Sequence, residues 1–151
     1  MKRRELLKGA AIGAIALSAP RLLKGQQAIT KLSGKLSVID AGGANVTAFQ
    51  TSEGLVVVDS GSPKSGEAVM AALKSLSPNA KVTTLFNTHY HLDQTGNNER
   101  FTAARARVIA HQRTQEWMST DYWVPAEERY EKARPVAARP STGTWRTRSR
   151  T

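Results

Sequence analysis

Downstream of residue 35 the apolar positions fall into short runs with the period of strands, separated by turn residues. Leu36–Asp40 and Asn45–Thr51 are two such runs, joined by Ala41-Gly42-Gly43-Ala44, a hairpin signal. After a turn at Glu53-Gly54, the run Leu55-Val56-Val57-Val58-Asp59 is apolar at both parities, which predicts a strand buried on both faces. Ser60-Gly61 breaks it, and Ser62 followed by Pro63 is a helix start, with the cap residue before a proline at the first helical position. Val69, Ala72, Leu73 and Leu76 then recur at spacings of three and four, the stripe of an amphipathic helix. Ser77-Pro78-Asn79 ends that helix. Residues 81–86 form the next strand and deliver Asn87-Thr88-His89 into a loop. Gly96-Asn97-Asn98 precedes a helical stretch reaching about residue 106, Arg107–Ala110 reads as a further core strand, and 111–133 reads as helix carrying Trp117, Tyr122, Trp123 and Tyr130. A meander followed by strand, helix, strand, loop, helix and strand predicts an α/β chain with a mixed sheet and helices packed on it. No internal repeat is present.

The two ends have a different texture. Residues 1–8 are charged, and 9–20 are a mildly apolar run rich in Ala and Gly, which together have the build of an export signal. That run is too short for a stable membrane span, which needs about 20 apolar residues. The pair Arg3-Arg4, followed by Leu6, Leu7 and Lys8, resembles the twin-arginine signal, and a weakly apolar run fits that route. The expected organisation is therefore an export signal and the start of a linker over 1–28, linker over 29–35, one domain over 36–133, and a tail over 134–151. The implied partner is the twin-arginine export machinery, and the implied destination is the periplasm or the medium.

Charge would point to nucleic acid only if it lay on the folded body. Of the net +10 in 151 residues, residues 1–35 hold eight Lys/Arg and one acid, and 133–151 hold five Arg and no acid. The stretch 36–132 holds nine basic and eleven acidic residues, so the body is close to neutral and no nucleic-acid partner is expected. The absence of cysteine removes thiolates as nucleophiles or metal ligands without fixing the compartment.

The candidate chemistry lies at the end of the 81–86 strand. His89 and His91, two residues apart, point to one side of a locally extended backbone, and Asp93 continues the series. Neutral imidazoles and a carboxylate converging on one point form a good mixed N/O zinc site. Gln94 adds an amide carbonyl oxygen next to Asp93, and Gly96 is read as the residue that lets the backbone turn sharply beneath the site.

Thr88-His89-Tyr90-His91-Leu92-Asp93-Gln94-Thr95-Gly96 resembles the T-H-x-H-x-D-H-x-G signature of the metallo-β-lactamase superfamily, and 55–61 resembles the strand ending in Asp-x-Gly that precedes it. The resemblance covers roughly residues 36–113. It implies half of a four-layer αββα sandwich, with the C-terminal half missing and with zinc (one or two ions, iron or manganese also tolerated by such donors) at the sheet edge. It further implies that His89 and His91 bind the first metal, and that Asp93 binds the second and acts catalytically by orienting the attacking water. Asp59 would be either a residue supporting the ligands or simply a strand-end turn residue. Hydroxide formed on the metal would attack the carbonyl of a small-molecule ester, thioester, lactone or lactam.

The sequence also departs from the signature. Gln94 stands where the family has histidine, weakening the second metal position. The family takes a third histidine from a second β-layer far downstream, whereas the only later histidine here is His111, read as a strand-end residue. The Arg-rich end reads as a frameshifted or prematurely ended product, the alternative being a genuine disordered tail. The expected activity is correspondingly weak or absent, and the other reading is a non-catalytic fragment with little or no metal binding. A sheet lacking its partner layer should expose apolar surface and self-associate.

Overall fold

The computed structural model describes residues 28–125 and 128–140. The expected export segment as far as residue 27, and residues 141–151 of the expected tail, lie outside the described residues. A six-stranded mixed sheet dominates, with strands in sequence order: β1 (Ile29–Lys31), β2 (Leu36–Asp40), β3 (Asn45–Thr51), β4 (Gly54–Val58), β5 (Val82–Asn87) and β6 (Arg107–Ala110). The first three pairings are antiparallel and the last two parallel. Parallel neighbours need crossovers, and these carry α1 (Gly66–Leu76) between β4 and β5, then α2 (Leu92–Thr95) and α3 (Asn98–Ala103) between β5 and β6. The expected α/β class with a mixed sheet is what forms.

Local chemistry accounts for the turns. Between β2 and β3 the chain reverses through Gly42 and Gly43 at φ 70 and 100, conformations that residues with a Cβ rarely adopt. Asp40 Oδ1 accepts from Gly42 N at 2.9 Å and steadies the turn. On one sheet face Ile39, Val46, Ala48, Leu55, Val57, Leu85 and Val108 are buried under Val69, Ala72 and Leu73 of α1 and Phe101 of α3. At about 25 cal/mol per Å2 of apolar area, this face is the principal source of stability.

Four sequence-based expectations are corrected. The 55–59 run is not buried on both faces: Leu55 and Val57 are buried, while Val56 and Val58 are only half-buried. The expected linker contains β1, which extends the meander by pairing Ile29 with Ile39 and Lys31 with Ser37. The expected helix over 111–133 stops early. Among the described residues of that stretch the α-helix is α4 (Gln112–Met118), and an antiparallel hairpin follows, β7 (Tyr122–Val124) with β8 (Arg129–Glu131). Tyr, Trp and Val favour a pleated surface, and Pro125 cannot continue a helix. Finally, the start of the expected tail is packed: Arg134 N donates to Met118 O at 2.7 Å, and Ala138 at the end of a 3-10 turn is buried.

Candidate metal centre

β5 ends at Asn87, and the chain leaves the sheet through Thr88, His89 and Tyr90 before entering α2, of which His91 is the N-cap. Asp93 therefore sits in the first helical turn and does not continue an extended series, yet the convergence expected from the spacing is present. One ligand atom from each of His89, His91 and Asp93 lies within 4.8 Å of the others. His89 Nε2 and His91 Nδ1 face each other at 3.1 Å. Two nitrogens bound to one tetrahedral zinc stand about 3.3 Å apart, so the pair is spaced for a shared ion. The donor set, two imidazoles and a carboxylate on a rim where His91 and Asp93 are exposed and His89 is half-buried, fits zinc.

The tautomer of His89 follows from its neighbours. The Thr88 hydroxyl donates to Asp59 Oδ2 at 2.7 Å, and Thr88 N donates to Asp59 Oδ1 at 2.8 Å. With its proton committed to Asp59, Thr88 Oγ1 can only accept from His89 Nδ1, 2.9 Å away. That places the ring proton on Nδ1 and leaves the Nε2 lone pair facing the cluster. Asp59 directly follows β4 at φ 60, a left-handed conformation that costs a non-glycine residue and points to an over-determined position. Burial pushes its carboxyl pKa above the usual value, and the two Thr88 hydrogen bonds and the charge of His89 oppose that rise.

Gln94 lies beside Asp93 and donates from Nε2 to Asp93 Oδ2 at 3.0 Å, which leaves its carbonyl oxygen as the atom it could offer a metal. His111 is not in the cluster; it caps α4, with Nδ1 accepting from Arg113 N at 3.2 Å. Gly96 has an ordinary helical φ of −63, so it is not needed for a sharp turn. Its reason is proximity: a Cβ there would stand 2.4 Å from Pro63 Cδ.

Beneath the ligands lies a buried polar network that the sequence reading treated only as turn residues. Ser60 N and Oγ both reach Gln94 O, at 2.7 and 3.1 Å. Asn97 Nδ2 donates to Ser60 O and Ser62 O, and Asn98 exchanges amide hydrogen bonds with Asn87 while also donating to Ala138 O. This network ties the ends of β4 and β5 to α2, α3 and the 3-10 turn. Among the described residues no buried side-chain polar atom lacks a partner. A signal was available: Asn87, Asn97 and Asn98 are amides flanking strongly apolar elements, where burial demands partners.

A family model, described as the metallo-beta-lactamase superfamily, matches residues 39–148, which is most of the chain. The chain belongs to the metallo-beta-lactamase superfamily. The match runs past residue 133, where the domain was expected to end. Solved structures agree with the assignment. BJP-1, a subclass B3 metallo-beta-lactamase of Bradyrhizobium japonicum, is 25% identical with a TM-score of 0.64, over 82% of this chain and 47% of that one. A metallo-beta-lactamase from Pontibacter korlensis is 23% identical with a TM-score of 0.54, over 74% of this chain and 51% of that one. The Cronobacter sakazakii enzyme with a HARLDQ motif is 23% identical with a TM-score of 0.55, over 60% of this chain and 37% of that one. At these identities the last two show the fold alone. This chain spans about half the length of such superfamily structures, or less. No curated protein matches it. Superfamily members generally bind metal ions, usually zinc, and the His89, His91 and Asp93 cluster is where this chain brings suitable donors together. No helix among the described residues is long and apolar enough to cross a membrane.

Proposed function

We propose that this chain is a zinc-dependent hydrolase acting on a small molecule with a hydrolysable carbonyl (an ester, thioester, lactone or lactam). The observation that supports this most directly is the convergence of His89 Nε2, His91 Nδ1 and the Asp93 carboxylate at the C-terminal end of β5. When bound there, zinc supplies Lewis acidity, making water a nucleophile near neutral pH and polarising a carbonyl. The chain's own residues do the rest. Asp59, through Thr88, keeps the His89 lone pair directed at the cluster. The Gln94 amide donates to Asp93 Oδ2, and the other Asp93 carboxylate oxygen would accept a proton from water and orient it. Among the described residues the cluster has one carboxylate, so ligation and water orientation compete for Asp93, and weak zinc affinity with slow turnover is expected.

The test is zinc content and ester or lactam turnover of the purified full chain. His89→Ala or His91→Ala should lower zinc affinity at least tenfold and abolish chelator-sensitive turnover. Thr88→Val should lower affinity about tenfold by freeing the His89 tautomer, in the range of lost supporting partners of metal ligands. Stoichiometric zinc undiminished in His89→Ala would end the proposal. We also propose delivery to the periplasm or medium by the twin-arginine route, on Arg3-Arg4 and the apolar run after them. Undiminished export of an Arg3→Lys/Arg4→Lys double variant would exclude that route.

A further inference from the structure

The two histidines of the cluster are held in different ways. His89 donates from Nδ1 to the Thr88 hydroxyl, which Asp59 fixes in turn. His91 turns Nδ1 towards His89, and among the described residues its Nε2 has no hydrogen-bond partner. A metal-binding imidazole ordinarily has its ring orientation set by a partner on its other nitrogen. For His91 that task falls to packing, and its side chain is exposed, so few groups can perform it.

Rings supply the packing. Tyr90 meets the His91 ring at 4.6 Å between centroids and 63° between planes. It also stacks on Trp117 of α4 at 4.9 Å and 12°, and stands edge-on to Tyr122 of β7 at 5.4 Å. Trp117 and Tyr122 touch each other edge-on at 5.0 Å, so the three rings close a triangle. Aromatic pairs prefer stacked and edge-on geometries such as these, and each ring therefore constrains the orientation of the next. None of the three belongs to the core beneath α1 and α3, and Trp117 keeps 43% of its surface exposed. What the triangle joins is the metal loop to α4 and the hairpin. The Tyr90 hydroxyl makes no hydrogen bond among the described residues, so the flat ring is the part of this side chain that is used.

We propose that Trp117 is a positioning residue for the metal centre. With Tyr122 it holds the Tyr90 ring in place, and Tyr90 fixes the plane of His91, as Thr88 and Asp59 fix that of His89. α4 and the β7–β8 hairpin supply no donor to the cluster, yet through this stack they help to set its metal affinity. By linkage, a metal bound between the histidines tightens the stack in return. The proposal rests on the zinc reading of the cluster for the identity of the metal, whereas the hold on His91 is a property of the protein alone.

The test uses the full chain and zinc alone as probe, with two readouts that do not involve turnover. One is zinc affinity by competition with a chromophoric chelator. The other is the imidazole proton NMR signals of the metal-free protein, in which three histidines are assigned by His89→Gln, His91→Gln and His111→Gln. Trp117→Leu, which keeps bulk but no flat ring, should weaken zinc about tenfold, while Trp117→Phe and Tyr90→Phe stay within about twofold of the unaltered chain. Trp117→Leu should also move and broaden the His91 signal, which lies in the ring current of Tyr90, and move that of His89 much less. A merely structural loss of the hairpin would not single out one histidine. Trp123→Ala removes an exposed indole of the hairpin that pairs with Tyr130 and not with Tyr90, and should change neither readout. Tyr90→Leu cuts the same contact with α4 left intact, and replaces Trp117→Leu if that variant fails to fold. Undiminished zinc affinity in both leucine variants, or an equal loss in Trp123→Ala, overturns the proposal. So does a His91 signal indifferent to both leucine variants. Zinc affinity in the expected order without ester or lactam turnover would sink the hydrolase reading and leave the role of Trp117 standing. If the unaltered chain takes up no zinc, the zinc reading fails, and a His91 signal that still responds to Trp117→Leu keeps the positioning role. Chelator-sensitive turnover with equal zinc affinity in every variant would do the reverse.

Discussion

The two faces of the six-stranded sheet are made from the same strands and much the same residue types, but the described residues cover only one. On the helix side Ile39, Val46, Val57, Leu85 and Val69 are fully buried. On the opposite side Val38, Val56, Val58 and Ile109 are half-buried, and Phe49 and Phe86 are 43% and 37% exposed. Register keeps that second set together: Phe49 pairs with Val56, Val58 with Phe86, and Phe86 with Ile109. Scattered exposed apolar residues need no explanation, but a contiguous set on one sheet face is a surface that favours association. Apolar residues at both parities thus record two surfaces with an affinity for apolar cover, one of them met within the described residues by α1 and α3.

The strongest test of this contrast places the same charge on each face of one strand. Val57→Asp puts an unpaired carboxylate beneath α1 and should cost about 4 kcal/mol or more, enough to leave the chain unfolded. Val56→Asp, one residue earlier and on the other side, should cost about 1 kcal/mol or less. Urea unfolding followed by circular dichroism measures both. Equal losses would mean that the second face is covered after all.

A smaller effect is expected on assembly. Replacing Phe49 and Phe86 together by threonine preserves strand propensity and removes the two largest exposed side chains of the open face. Self-association in analytical ultracentrifugation should weaken about tenfold, equivalent to about 1.4 kcal/mol. If the sedimentation profile is unchanged, this face does not drive association.

How much of this was legible in the sequence follows the same division. The alternation of β2 and β3, the α1 stripe and the limits of β6 could be read directly, because local periodicity reports burial against a single partner. The 89/91/93 convergence was legible for the same reason, although helix α2 and not an extended strand places Asp93. What escaped depends on distant partners. β1 is a strand only because β2 offers it an edge, and the hairpin holding Trp123 and Tyr130 looked helical beside α4. Residues 134–140 looked unpackable until Ala138 O met Asn98, forty positions earlier in the chain. The network of Ser60, Asn87, Asn97 and Asn98 was hidden because amides and hydroxyls signal turns and buried hydrogen bonds equally well.

The smallest effect asks whether the covered side behaves electrostatically as covered. Asp59, buried at the end of β4, has its pKa raised above 3.8 chiefly by burial. Its favourable contribution is therefore present below 3.8 and is lost as pH rises through its folded value. Glu131, in the hairpin beyond the sheet, has its pKa lowered from 4.5, first by the hydrogen bond from Arg129 and then by that from Arg134, against a burial effect of opposite sign. Its contribution is present above 4.5 and is lost as pH falls through its folded value. Acidifying the metal-free protein from about pH 6 to about pH 3 should therefore loosen the hairpin while relieving the strand end. Relative to the intrinsic exchange rate, which itself slows in acid, amide protection at Tyr122–Val124 should fall, whereas protection at Thr88, whose N–H donates to Asp59, should not follow it. Because Arg129 is half-exposed, the hairpin effect should stay below about 1 kcal/mol. Glu131→Gln should flatten it, and Asp59→Asn should leave it intact. Parallel loss of protection at both places would mean that acid unfolds the chain as one unit, and that the buried strand end and the exposed hairpin are not electrostatically distinct.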